Sequence, residues 1–132
     1  MRLTAAFSTL AAIFATALPA EQLDCNNPKT QLEMTGCASQ AYEAADRDLN
    51  ASWPGAMDMA RRLDQSLQPG QTPAAEILRD AQRKWIAFRD AACTAESLVA
   101  RGGSMQNQLF FICMERLTRQ RTRELREFGR MN

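Results

Sequence analysis

Between Thr72-Pro73 and Gly102-Gly103, apolar side chains return every three or four residues: Leu78, Ala81, Trp85, Phe88, Ala92, Ala95 and Val99. That step matches an α-helical turn and not the two-residue period of a strand. Both ends are punctuated. Thr72 stands as a cap with Pro73 in the first helical position, and Arg101 precedes glycines that can take a left-handed terminus. Upstream, Thr30 and Glu33 form a capping-box pattern behind Pro28. Leu32, Tyr42, Ala45, Leu49 and Trp53 then recur at helical spacing. Trp53-Pro54-Gly55 interrupts this run, as a kink or as a break. Met57, Ala60, Leu63 and Leu67 resume it, and Gln68-Pro69-Gly70-Gln71 turns the chain. Downstream, Ser104 is the expected cap of a third helix bearing Leu109, Phe110, Ile112, Cys113, Leu117, Leu125 and Phe128. Arginines from Arg116 to Arg130 suit its C-terminal half. The predicted fold is all-α: a small antiparallel bundle of three main helices, the first either continuous or split at Pro54. Hydrophobic residues at 45% of 132 allow one core, and 23% charged residues argue against extended disorder.

Ahead of these helices, Met1-Arg2 gives a positive start and Leu3 to Ala17 is an unbroken run of apolar and small residues. Ala15-Thr16-Ala17-Leu18-Pro19-Ala20 follows the pattern of a cleavage region. About fifteen apolar residues are short for a bilayer span, which takes roughly 20. Residues 1–20 are therefore predicted to be a signal peptide, cleaved after Ala20. Residues 21–132 form a single domain in the periplasm or outside the cell. Asp24 before Cys25 occupies a place where a lipoprotein signal has a small residue, so neither a lipid anchor nor a membrane span is expected after cleavage.

The cysteines are Cys25, Cys37, Cys93 and Cys113. None of their spacings is that of a thiol-redox or zinc motif, and an exported chain meets an oxidising compartment, so two disulfides are expected. Four cysteines allow three pairings, which helix geometry ranks. Cys93 lies about nine residues before the Gly102-Gly103 turn and Cys113 about ten after it, at matching heights in a helical hairpin. Cys37 sits about 13 Å up the first helix, within reach of an extended segment carrying Cys25. The predicted pairs are Cys25–Cys37 and Cys93–Cys113, each stabilising by about 3 kcal/mol.

The chain has no histidine, which removes Ser-His-Asp and Cys-His catalysis and imidazole-based metal sites. Without residues 1–20 it carries 15 acids and 15 bases, a balance that argues against nucleic-acid binding and general membrane attraction. The charge is unevenly placed: residues 21–64 hold eight acids and four bases, residues 101–132 three acids and seven bases. Glu43, Asp46 and Asp48 lie close together, but glycosidic catalysis needs carboxyls facing across a cleft. No phosphate-cradling loop, nucleophile elbow or metal-ligand cluster is present in the sequence. The prediction is a protein that is not an enzyme and holds no cofactor and no metal.

Two stretches occur together: Cys37-Ala38-Ser39-Gln40-Ala41-Tyr42-Glu43-Ala44-Ala45-Asp46-Arg47-Asp48-Leu49-Asn50 and Gln82-Arg83-Lys84-Trp85-Ile86-Ala87-Phe88-Arg89-Asp90-Ala91-Ala92-Cys93. With Gly102-Gly103-Ser104 and Cys113, they resemble the LprI-type lysozyme-inhibitor domain, also labelled DUF1311, over residues 25–126. The resemblance implies a small, helical, disulfide-bonded protein of the periplasm or cell surface, with a lysozyme-like enzyme as protein partner. On their own chemistry, Tyr42, Leu49, Trp85, Phe88 and Arg89 read as core and motif residues, with an Arg89–Asp46 ion pair between helices. Glu43, Asp46 and Asp48 are candidates for an acidic docking face toward a cationic lysozyme, and Arg101, Gly102, Gly103 and Ser104 for a loop that plugs its cleft. The alternative is a periplasmic interaction or immunity-type module with an unrelated partner. Its mark would be an exposed apolar patch, for which Met57, Met59, Met105 and Phe111 are candidates.

Overall fold

The computed structural model describes residues 23–131; the predicted signal peptide lies outside them. Three helices account for most of the chain: α1 (Gln31–Asp64), α2 (Ala74–Ser97) and α3 (Gln106–Gly129), with a single 3₁₀ turn (Leu98–Ala100) continuing α2. No strand occurs among the described residues. The chain runs up, down and up. Gln31 meets Gln108, Asp48 meets Arg119, and Gly55 lies against Gly129, so α1 and α3 are parallel. They share the most extensive interface. The intervening α2 is antiparallel to both.

α1 begins as the capping-box pattern predicts. The Glu33 backbone N–H donates to Thr30 Oγ1 at 3.2 Å, and the Thr30 N–H donates to Glu33 Oε2 at 2.8 Å. The Lys29 N–H adds a bond of 2.6 Å to the same oxygen. These donors hold the Glu33 carboxyl below its ordinary pKa, because they bind the charged form.

The helix then continues through Pro54 without a break for 34 residues, roughly 51 Å. Pro54 removes the donor that the carbonyl of Asn50 would have used. Both residues are exposed, so water can take its place. Beside it the backbones of α1 and α3 nearly touch. A Cβ on Gly129 would stand 3.1 Å from the Gly55 carbonyl carbon, so that a larger residue there requires the backbone of α1 to give by a few tenths of an ångström.

The two other predicted caps are replaced. Pro73 is the N-cap of α2 and makes no side-chain cap bond. Asp64, at the end of α1, takes the role of Thr72: its carboxylate accepts from the N–H groups of Ala74 at 2.6 Å and Ala75 at 3.2 Å. α3 starts after Met105 with no side-chain cap, and Gln106 instead accepts from the Gly102 N–H at 2.9 Å. Ser104 caps nothing.

The core comes in two parts. At the Pro54 end, Leu49, Ala56, Met57, Ala60, Ala75 and Leu125 are buried, with Trp53, Leu78, Trp85 and Phe128 packed around them. At the opposite end the core is Cys93, Cys113 and Met114, under Tyr42, Phe110 and Leu117. Both disulfides form as predicted, Cys25–Cys37 and Cys93–Cys113, with Cα separations of 5.5 and 5.4 Å. The predicted stripe of α2 is rotated. Phe88, expected in the core, is 61% exposed, while its neighbour Arg89 is 6% exposed. The inward line of α2 runs through Leu78, Gln82, Trp85, Arg89, Cys93 and Ser97.

Candidate functional site

The two motif stretches meet at Arg89. From α2, its guanidinium donates through Nε and Nη2 to Asp90 Oδ1, both at 2.9 Å. Nη1 donates to Thr118 Oγ1 on α3 at 3.4 Å and lies 3.7 Å from Asp46 Oδ1 on α1, the ion pair the sequence predicts. The rings of Tyr42 and Trp85 lie 5.5 and 5.1 Å from the guanidinium carbon. One buried cation therefore ties all three helices together, by charge, hydrogen bond and ring face at once. Burial pushes the Tyr42 phenol above the ordinary tyrosine pKa, against the pull of the Arg89 charge. Tyr42 also stacks on Phe111, whose ring centre is 6.3 Å away.

The three candidate acids do not share a face. Asp46 and Asp48 are two residues apart on α1 and so point roughly 200° from one another. Asp46 turns to α2 and accepts from Asn50 Nδ2 at 3.0 Å. Asp48 turns to α3, 3.6 Å from Arg119 Nη1. Glu43 is exposed and makes no ion pair among the described residues.

Arg101, Gly102, Gly103 and Ser104 are all exposed at one tip of the bundle. The turn is held by its own backbone: the Gly103 N–H donates to the Ala100 carbonyl at 2.9 Å, and the Gln106 N–H to the Gly103 carbonyl at 3.2 Å. Gly102 has φ of +75°, which a side chain would strain. The tip also carries the start of α1, because Gln31 Nε2 donates to Gln108 Oε1 at 2.8 Å. Both disulfides lie in this half of the molecule.

Of the apolar-patch candidates, Met57 and Met59 are buried at 4% and 8% exposure, so no surface patch forms there; Met105 is 49% exposed. Exposed apolar side chains are spread over the molecule, among them Leu32 on α1, Ile77 and Phe88 on α2 and Ile112 on α3. Beside Arg89, a groove of about 210 Å³ between α1 and α2 is lined by Asp46, Asn50, Trp53, Gln82 and Ile86. No group of three or more Cys, Asp or Glu gathers to hold a metal ion among the described residues. No helix among them is long and apolar enough to cross a membrane.

Sequence reasoning missed Asp64, whose capping role depends on a contact formed only in the folded chain. It also missed Thr118, a buried polar residue whose hydroxyl meets Arg89. A polar residue on the inward stripe of α3 was the available signal.

A model of the lysozyme inhibitor LprI family matches residues 25–125. An uncharacterized protein of Rhizobium meliloti (strain 1021) is 38% identical over 107 residues, covering 79% of this chain and 77% of that protein. The crystal structure of a DUF1311 family protein from Pseudomonas putida KT2440 is similar with a TM-score of 0.65, over 78% of this chain and 97% of that one. At 22% identity that likeness concerns the fold.

Proposed function

We propose that this chain, which belongs to the lysozyme inhibitor LprI family, is exported, binds a lysozyme-like muramidase in the cell envelope and blocks it, catalysing no reaction itself. The observation that carries the proposal is the exposed tip at residues 101–104, set on a turn with fixed backbone bonds above the Cys93–Cys113 bond. A cleft-blocking loop has to be held rigid before it binds, since ordering it on contact would subtract from affinity. Glu43, exposed and without an ion pair among the described residues, is the acid of the first helix best placed to attract a cationic enzyme. Asp46 and Asp48 add less to that attraction, because Arg89 and Arg119 face their carboxylates.

The test is a turbidity assay of lysozyme on cell walls with the purified protein in excess. Slowed lysis is expected, weaker for Gly102→Val, which disturbs the tip, and for Glu43→Gln at low salt. Undiminished lysis across a salt series would remove the proposal.

A further inference from the structure

Four arginines of α3, Arg119, Arg123, Arg126 and Arg130, follow one another at steps of four, three and four, and all are exposed. Helical spacing puts them within about 60° of one line roughly 16 Å long. Arg119 is met by Asp48 and Glu115, but Arg123, Arg126 and Arg130 make no ion pair among the described residues. Like charges three and four residues apart repel and weaken a helix. The helix dipole favours cations within its last turn. It accounts for Arg126 and Arg130, but not for a row that begins at Arg119.

The row borders a trough between α3 and α1. One hollow of about 310 Å³ is lined by the small residues Ala51, Ser52, Gly55 and Gly129 together with Arg126 and Arg130. The next, of about 130 Å³, is lined by Asp48, Thr122, Arg119, Arg123 and again Arg126. The two share Arg126 and so run end to end along the helices. The acids nearby leave the row cationic. Asp48 is 3.6 Å from Arg119, and Asp58 on α1 pairs with Arg61 at 2.6 Å. Glu124 is bound to Arg121 at 3.0 Å, and Glu127 lies about 60° past Arg130 on the side away from α1.

We propose that this trough binds an extended chain of phosphodiesters, an anionic polymer without bases. A guanidinium grips phosphate through two parallel N–H···O bonds, which suits a row built from arginine alone. The lining of the two hollows includes no aromatic ring, so bases would find nothing to stack on. Its one large apolar side chain, Leu125, is 1% exposed. The trough therefore offers no hydrophobic anchor to a protein and no apolar surface to a bilayer. An acidic polypeptide would also lay its backbone N–H groups on helices whose own carbonyls are already paired. A phosphodiester chain has no such donors and carries its charge along its own backbone. The trough lies toward the end of α3, away from the tip at residues 101–104, so a chain bound there leaves the tip free.

Fluorescence anisotropy of a labelled, short poly(glycerol phosphate), titrated with the purified protein at several salt concentrations, tests the site. Binding is expected at low salt. With the three unpaired arginines each neutralising one phosphate, affinity should fall roughly 20-fold between about 50 and 200 mM salt. Arg123→Gln together with Arg126→Gln should weaken low-salt binding by roughly tenfold or more and flatten the salt dependence. Both residues are exposed and the change relieves repulsion, so helical circular dichroism and melting temperature should not fall. Arg83→Gln together with Lys84→Gln removes the same charge from α2 and should leave binding unchanged. No binding at low salt, or an equal loss from the α2 pair, would overturn the proposal. So would polyglutamate or oligothymidylate bound more tightly at equal charge, which would give the trough to an acidic polypeptide or to nucleic acid. Vesicles of phosphatidylglycerol that hold the protein where the free polymer does not would overturn it in favour of a bilayer surface.

Discussion

Arg89 is 6% exposed on a helix whose next residue back, Phe88, is 61% exposed. Periodicity assigns the phenylalanine inward, because it weighs each side chain by its own transfer preference. The folded chain reverses the two because the guanidinium is met from every helix, by Asp46, Asp90, Thr118, Tyr42 and Trp85. The Asp46 partner was legible in the sequence; the burial of its cation was not, since it depends on residues from α3. Replacing the arginine with methionine keeps the apolar stem and removes charge and ring contacts. Asp46 and Asp90 are 39% and 51% exposed and can return to water, so the loss stays below the extreme for a stranded buried charge. Arg89→Met is expected to lower stability by about 1–3 kcal/mol, against less than about 1 kcal/mol for Asp46→Asn, both read by urea unfolding. Arg89→Lys should rescue little, because a point charge cannot reproduce the planar contacts. Tyr42 gives this site a pH signature. Its pKa is raised in the fold, so the native state keeps a proton that the unfolded chain releases near pH 10. The associated stability is complete below that pH and is lost as pH rises through the higher folded value. Tyr42 is the single tyrosine of the chain, so phenolate absorbance reports it alone. Its titration should lie above that of the urea-unfolded protein, and Tyr42→Phe should lessen the alkaline loss of stability.

At the scale of the element, local signals succeed where the groups involved are neighbours in sequence and fail where they are not. The capping box at Thr30 and Glu33 needs four consecutive residues, and it is present as predicted. The start of α2 is set instead by Asp64, ten residues before the first N–H it accepts. A carboxylate spanning two N–H groups at a helix N-terminus satisfies donors that α2 cannot pair internally and complements its dipole. Asp64→Ala is therefore expected to cost about 1 kcal/mol, while Thr72→Ala should change stability by no more than about 0.5 kcal/mol. Thermal melts of the two variants decide between the local reading and the folded one. Pro54 follows the same logic. The sequence leaves a kink and a break equally open, and what favours continuity is the packing of Ala56, Met57 and Ala60 beyond it. A helix whose far half is buried against two others tolerates one missing hydrogen bond on its wet side.

For the molecule as a whole, the two ends are stabilised by different means. The Pro54 end has aromatic and aliphatic side chains from all three helices, whereas the tip end has a small core in which Cys93 and Cys113 are themselves 0% exposed. Helix order and both sulfur pairings were legible in spacing, because rise per residue fixes height in a hairpin. The parallel α1–α3 interface was not, since its partners lie far apart in sequence. In the loop-entropy picture the two disulfides, with separations of 12 and 20 residues, contribute similarly, about 3 kcal/mol each. The structure distinguishes them. Cys25 is exposed and ties an irregular segment back onto the first turns of α1, so that segment can detach while the bundle stays intact. Cys93–Cys113 joins α2 to α3 inside the core, where both residues are fully buried, and its replacement by alanines also leaves a cavity where two sulfur atoms stood. Replacing Cys93 and Cys113 with alanine is expected to lower the global unfolding free energy by about 3 kcal/mol or more, whereas replacing Cys25 and Cys37 should mainly speed hydrogen exchange in residues 23–40. Equal losses of global stability from the two replacements would mean that the N-terminal segment folds as one unit with the bundle. If the tip binds a muramidase, the variant lacking Cys93–Cys113 should also inhibit more weakly at temperatures where it remains folded, because a loosened tip must be ordered on contact.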